Sequence, residues 1–151
     1  MNNYRGLLSH NFPNQQFNTT IQNNQDNVIN NYRELGGEFV RYFYTTLTNN
    51  IDDIGHLYQF NTCVTYNGVE LSGFYQYRDH MTRTLNINRL EFDLYEADGQ
   101  PLDQNTLLVN VIGRVRANYD SSMIKKFSET FVLSRTGQNY QITRQMFRVF
   151  N

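Results

Sequence analysis

Residues 125–151 read KKFSETFVLSRTGQNYQITRQMFRVFN, and the alternation within them decides the fold. Phe127, Phe131 and Leu133 alternate with Ser128, Thr130, Val132 and Ser134. Past a turn at Gly137-Gln138-Asn139, Phe147 and Val149 oppose Arg144, Met146 and Arg148. Successive side chains of a strand point to opposite faces of its sheet. Residues 125–134 and 140–150 are therefore two adjacent β-strands, each with an apolar face and a mixed face. A mixed face on a well-patterned sheet marks a surface that another protein can cover.

The same reading extends upstream. In 106–119 the inner set is Leu107, Val109, Val111, Gly113 and Val115, and the outer set is Leu108, Asn110, Ile112, Arg114 and Arg116. A further strand is predicted over 89–97, followed by a turn at Gly99-Gln100-Pro101. Laid side by side, the outer positions form a patch with Ile112, Val132 and Met146 at its centre. Asn110, Thr130, Arg114, Arg144 and Arg148 surround them. An apolar centre with Arg and Met is the composition of a protein–protein interface; the alternative is an ordinary solvated sheet face. A two-fold homodimer would bring Arg114, Arg144 and Arg148 towards like charges, since no acidic residue is evident among the outward positions. A different partner offering carboxylates would pair them, so a heterodimer is expected.

Helices precede the strands. In YRELGGEFVRYFYTTLTNN, Leu35, Phe39, Phe43 and Leu47 recur every four positions, flanked by Tyr32, Val40 and Tyr44, with Asn30 or Asn31 as N-cap. Gly36-Gly37 weakens this helix by ~1 kcal/mol per glycine and is expected to mark close approach of another backbone. A second helix is predicted over 51–60, with Asp52 and Asp53 in its first turn. Asn67-Gly68 signals a type I′ hairpin turn. A third helix over 74–85 carries Phe74, Tyr77, Met81 and Leu85 on one stripe. Helices first and antiparallel strands after predict an α+β fold, three helices packed on a strongly curved antiparallel sheet.

The domain so defined is 31–151. Residues 1–30 are rich in Asn and Gln, a composition expected to remain disordered. The alternative is a docking arm using Tyr4, Leu7, Leu8, Phe12 and Phe17. The whole chain has 151 residues, enough for one core. Its 15 % aromatic content, all Phe and Tyr, favours strands. A net charge of −1 argues against direct nucleic-acid binding. The lone Cys63 excludes an internal disulfide and a cysteine-built zinc site. No apolar run is long enough to span a membrane and no signal peptide opens the chain, so a soluble intracellular protein is expected.

No catalytic motif emerges, and no cofactor is expected. His10, His56 and His80 are scattered without metal spacing, and Asp52-Asp53 suits a helix N-terminus. Asp98, His80 and a core Tyr are the residues an enzyme or small-molecule binder of this fold would draw on. The expectation is a non-enzymatic protein.

GEFVRYFYTTL, LYQFNTCVTYNGVELSG, DGQPL, FSETFVL and MFRV, in that order from about Tyr32 to Phe150, resemble the nuclear transport factor 2 family. That resemblance implies a cone of three helices against a bent sheet, dimerising through the sheet. It also implies nucleocytoplasmic transport, with a protein found in nucleus, cytoplasm and nuclear pore. Glu38-Phe39-Val40, Phe43-Tyr44-Thr45-Thr46 and Tyr66-Asn67-Gly68 are similar to the branch that partners the mRNA export receptor. That branch pairs with the receptor's own homologous domain through an arginine matching Arg148, and the complex meets phenylalanine-glycine repeats of nucleoporins. The alternative branch is a homodimeric carrier of Ran-GDP, whose acidic site matches Asn67, Asn118 and Asp120. A third branch of scaffold domains binds Phe-containing peptides in a groove matching Leu35, Phe39, Leu57 and Phe147, with Tyr32 beside it; core packing is the competing role for those residues.

Overall fold

In the computed structural model, which describes residues 6–9 and 27–151, helices cover one face of a curved six-stranded sheet. Helix α1 spans Val28–Asn49. It is followed by a 3₁₀ helix, Ile51–Leu57, and strands β1, Tyr58–Tyr66, and β2, Val69–Ser72. Helix α2, Gly73–Asp79, continues into a π-helical turn, His80–Thr84. Strands β3 (Leu90–Asp103), β4 (Thr106–Ala117), β5 (Lys125–Thr136) and β6 (Asn139–Phe150) complete the sheet in the order β2-β1-β6-β5-β4-β3. The α+β architecture read from the sequence holds. One pair departs from it: β1 runs parallel to β6, and every other pair is antiparallel.

Helix α1 begins earlier than its aromatic stripe indicates. Val28, fully buried, extends the apolar face back by a turn. Asn27, rather than Asn30 or Asn31, is the N-cap, and its side chain accepts from the Asn30 N–H at 3.1 Å. The second helix stops at Leu57 instead of reaching 60. Tyr58 pairs with Ile142 of β6, and its hydroxyl donates to Gln145 at 2.6 Å, so sheet pairing overrides the local helical pattern. In the third helix Tyr77 and Met81 are buried as expected, but Leu85 is 42 % exposed. The intervening π turn carries an extra residue and rotates Leu85 off the stripe.

The predicted turn at 99–101 is also corrected. β3 runs through it to Asp103, and Pro101 pairs with Leu107. Pro is tolerated there because β3 is an edge strand, with no ladder to complete on its far side. The chain reverses at Asn105 instead, whose N–H donates to the Asp103 carboxylate at 2.7 Å. The Asn67-Gly68 turn is as read, with φ of 48° and 85°.

Between α1 and the inner sheet face, Phe39 and Phe43 each meet Phe131 edge-on, ring centroids 4.8 Å apart. The core also takes in part of the N-terminal segment. Gly6 forms a bridge with Ala97 of β3, Leu7 is 1 % exposed, and Leu8 packs against the core. Of the predicted arm, residues 27–30 form the start of α1 and its cap, while 1–5 and 10–26, with Tyr4, His10, Phe12 and Phe17, lie outside the described residues.

Candidate partner-binding face

Strand registry builds the outer face row by row. Asp98, Asn110, Thr130, Met146 and Thr65 lie in one row across five strands. Glu96, Ile112, Ser128 and Arg148 form the next, and Gln100, Leu108, Val132, Arg144 and Cys63 flank the first row on the other side. Seven of the eight residues expected on this face lie in these three rows, and Arg114, paired with Asp93 and Lys126, lies in a further row beyond that of Ile112. Met146 and Ile112 are exposed, 58 % and 37 %, while Val132 is partly covered. The Asn110 amide donates to Thr130 Oγ1 at 2.9 Å and to Ser128 Oγ at 3.2 Å, tying β4 to β5 in one polar strip.

A bulge sets which β6 side chains reach this face. Val132 pairs with Arg144 and Leu133 with Ile142, leaving Thr143 extra in the ladder. Before it Tyr140 and Ile142 point inward; after it Gln145 and Phe147 do, so Arg144, Met146 and Arg148 emerge outward.

The charge pattern differs from the expected one. Arg114 donates to Asp93 at 2.9 Å, and Arg116 holds Glu91 with two bonds of 2.8 and 2.9 Å. β3, invisible as an acidic strand without its registry, supplies both carboxylates and also sets exposed Glu96 and Asp98 on the outer face. The statement that no acidic residue faces outward is therefore corrected, and Arg114 is already neutralised within the chain. Arg144 and Arg148 carry no ion pair among the described residues. The Arg148 guanidinium lies over the β1–β2 turn, 3.7 Å from where a Cβ on Gly68 would be. These two cations, with Met146 between them, join exposed Ile112, Glu96 and Asp98 in what the face offers a partner.

The peptide groove does not exist as an opening here. Phe39 and Leu57 are fully buried, and Leu35 and Phe147 nearly so. Phe147 stacks on Tyr66 at 4.5 Å, so these side chains are core. Tyr32, partly exposed, accepts a bond from Arg33 at 3.0 Å.

Of the residues drawn for catalysis, Asp98 stands apart from His80 and the core tyrosines. Asp98 is on the outer face, whereas His80 lies against Tyr66 at 5.8 Å on the helical side. Among the described residues no group of three or more His, Cys, Asp or Glu could hold a metal ion. The carboxylate inside the cone is Glu129, 2 % exposed, which the sequence reading passed over. It accepts from Tyr44 at 2.7 Å and from Gln145 at 2.9 Å, while Tyr58 donates to the other end of Gln145. Burial raises its pKa to about 7, against the lowering effect of the two donated bonds. Burial likewise pushes Tyr44, Tyr58 and Tyr77 well above the usual tyrosine range.

Comparison with known proteins follows this architecture. The nuclear transport factor 2 (NTF2) domain family matches residues 35–149. Nuclear transport factor 2 of Oryza sativa subsp. japonica is 30 % identical over 112 residues, 74 % of this chain and 90 % of that one. The structure of nuclear transport factor 2 from Cryptosporidium parvum superposes with a TM-score of 0.70 at 27 % identity, covering 80 % of this chain and 95 % of that one. A chain of the yeast deubiquitinase Ubp3 and Bre5 cofactor complex gives 0.67 at 17 % identity, covering 80 % and 97 %, a likeness of fold.

Proposed function

The chain belongs to the nuclear transport factor 2 (NTF2) domain family, and from that premise we propose a non-enzymatic transport factor that docks through its outer sheet face onto the homologous domain of the mRNA export receptor. The observation carrying this reading is that Arg144 and Arg148, which carry no ion pair among the described residues, flank exposed Met146 on this face. A partner carboxylate meeting Arg148 would form a bidentate bond. Ile112 and Met146 would supply the apolar contact. In this role the protein works in nucleus and cytoplasm and at the nuclear pore, where the complex meets phenylalanine-glycine repeats. It touches neither membrane nor nucleic acid directly.

A specific observation favours a second reading, a homodimer. Glu96 and Asp98 share the face with Arg144 and Arg148, so a two-fold axis can set opposite charges together. As a homodimer the protein would be a carrier of Ran-GDP. Against that cargo, the positions matching its acidic site are engaged internally. Asn67 accepts from the Val149 N–H, Asn118 from those of Asn88 and Arg89, and Asp120 from Ser122.

The test is Arg148→Ala in a pull-down with the receptor's homologous domain. Truncating one partner of an interfacial charge pair costs ~2–5 kcal/mol, so capture should fall by more than tenfold while circular dichroism is unchanged. Normal capture would refute the site. Light scattering of the protein alone separates the two readings: a monomer supports the heterodimer, and a homodimer stable to low micromolar dilution moves the carrier ahead.

A further inference from the structure

Strand β1 takes extra residues between Tyr58, which pairs with Ile142, and Cys63, which pairs with Arg144. Buried Thr62 closes the resulting bulge: its hydroxyl donates to the Ile142 carbonyl at 2.6 Å and accepts from the Gln59 N–H at 2.9 Å. The bulge turns Phe60 out of the fold, 92 % exposed. Helix α2 starts against it, because Gly73 has φ of +77° and a Cβ there would sit 2.7 Å from the Phe60 carbonyl oxygen. That approach sets Phe74 and exposed Tyr75 beside the bulge. Between them and the 3₁₀ helix lies a cleft of about 500 Å³, a size that suits a binding site. Tyr58 and Phe74 line it, their rings 5.6 Å apart, with Phe60 and Tyr75 at its exposed rim. None of these residues belongs to the outer sheet face, so the cleft stands apart from the docking proposed above.

The chemistry of the cleft selects its occupant. The rim offers little to a peptide that pairs as a strand, since the N–H of Gln59 is taken by Thr62 and that of Ser72 by Gln76 Oε1 at 2.8 Å. It presents ring faces instead. Arg78 already lies over two of them, 5.1 Å from the centre of Tyr75 and 5.8 Å from that of Phe74, and pairs with Asp52 at 3.4 Å. A polyproline II segment needs ring faces and no backbone partner: it has no internal hydrogen bonds, keeps its backbone solvated and docks in aromatic-lined grooves. At the 3₁₀-helical end Asp52 and Asp53 are both exposed and Arg78 offsets one of them, so a cation beside the prolines finds a complementary charge. We infer that this cleft, walled by Phe60 and Tyr75, binds a proline-rich segment of another protein that carries an arginine or lysine next to its prolines.

The test uses the full chain and the fluorescent peptides RPPPPPP and PPPPPPR, one for each direction in which the segment can lie, followed by anisotropy. One of them should bind saturably, and the control RAAAAAA should not. Phe60→Ala and Tyr75→Ala should each weaken binding about tenfold or more. Both side chains are exposed, so the fold survives their removal and circular dichroism should match wild type. Asp52→Asn should narrow the preference for the basic peptide over PPPPPPP by about threefold; an unchanged preference overturns the charge assignment. Failure of both peptides to bind overturns the proposal, as does equal binding of the control or indifference to both aromatic truncations. Arg148→Ala should bind the peptide as wild type does, which separates this cleft from the sheet face; loss of binding there overturns the site.

Discussion

Glu129 sits between Phe127 and Phe131 on the inward parity of β5, so its charge lies in the core. Its carboxyl titrates near 4.5 in an ordinary setting and at about 7 when folded. Between those values the native state holds the proton that the unfolded state has lost, so stability falls as pH rises. The loss is complete above 7 and amounts to roughly 3 kcal/mol. Glu129→Gln should remove most of this slope and be the more stable form at pH 8. Urea midpoints at pH 5 and pH 8 measure it; an unchanged difference between the two would mean that another group sets the slope. The position was legible in principle, because alternation puts 129 with 127 and 131. Its partners were not, since Tyr44 stands 85 positions away and Gln145 depends on the β6 bulge. Leu7 was legible as one residue of a docking-arm alternative; the space it fills exists only once α1 and β3 are packed.

Among the elements, β4, β5 and β6 were the readable part, because each runs for twelve residues with an inner face that is mostly apolar. The failures share a cause, a local signal outweighed by pairing. Pro101 reads as a turn until β3 is known to be an edge. Residues 58–60 read as helix until β1 is seen beside β6. The one-residue slips at Thr143 and in the π turn have no signature in hydropathy, yet they decide which side chains of β6 face out and where Leu85 points. β4 supplies a sharp test of how tightly the ladder is packed. Gly113 lies between Leu94 and Phe127, and a Cβ there would strike the Asp93 carbonyl and come within 3.1 Å of the Phe127 ring. Gly113→Ala should cost about 1–3 kcal/mol, read as a lower urea midpoint with an unchanged slope. A neutral outcome would show that β3 and β4 separate more easily than their pairing indicates.

For the molecule as a whole, the family and its curved sheet were within reach of the sequence, because ordered short matches accumulate across the domain. The charge balance of the face was not, because the acids of β3 are assigned to it only by registry. With Glu96, Asp98, Arg144 and Arg148 left exposed, a partner docking at this face as proposed would be steered by charge. Raising salt from tens of millimolar to about half molar should slow association with little change in dissociation. A salt-independent association rate would place the contact elsewhere. The parallel seam between β1 and β6 has a consequence for synthesis. Tyr58 reaches Gln145, 87 positions later, so the first strands wait, unpaired on one side, until the last strand leaves the ribosome. Contacts this distant in sequence slow folding, and the waiting β1–β2 hairpin is the stretch a chaperone would have to shield.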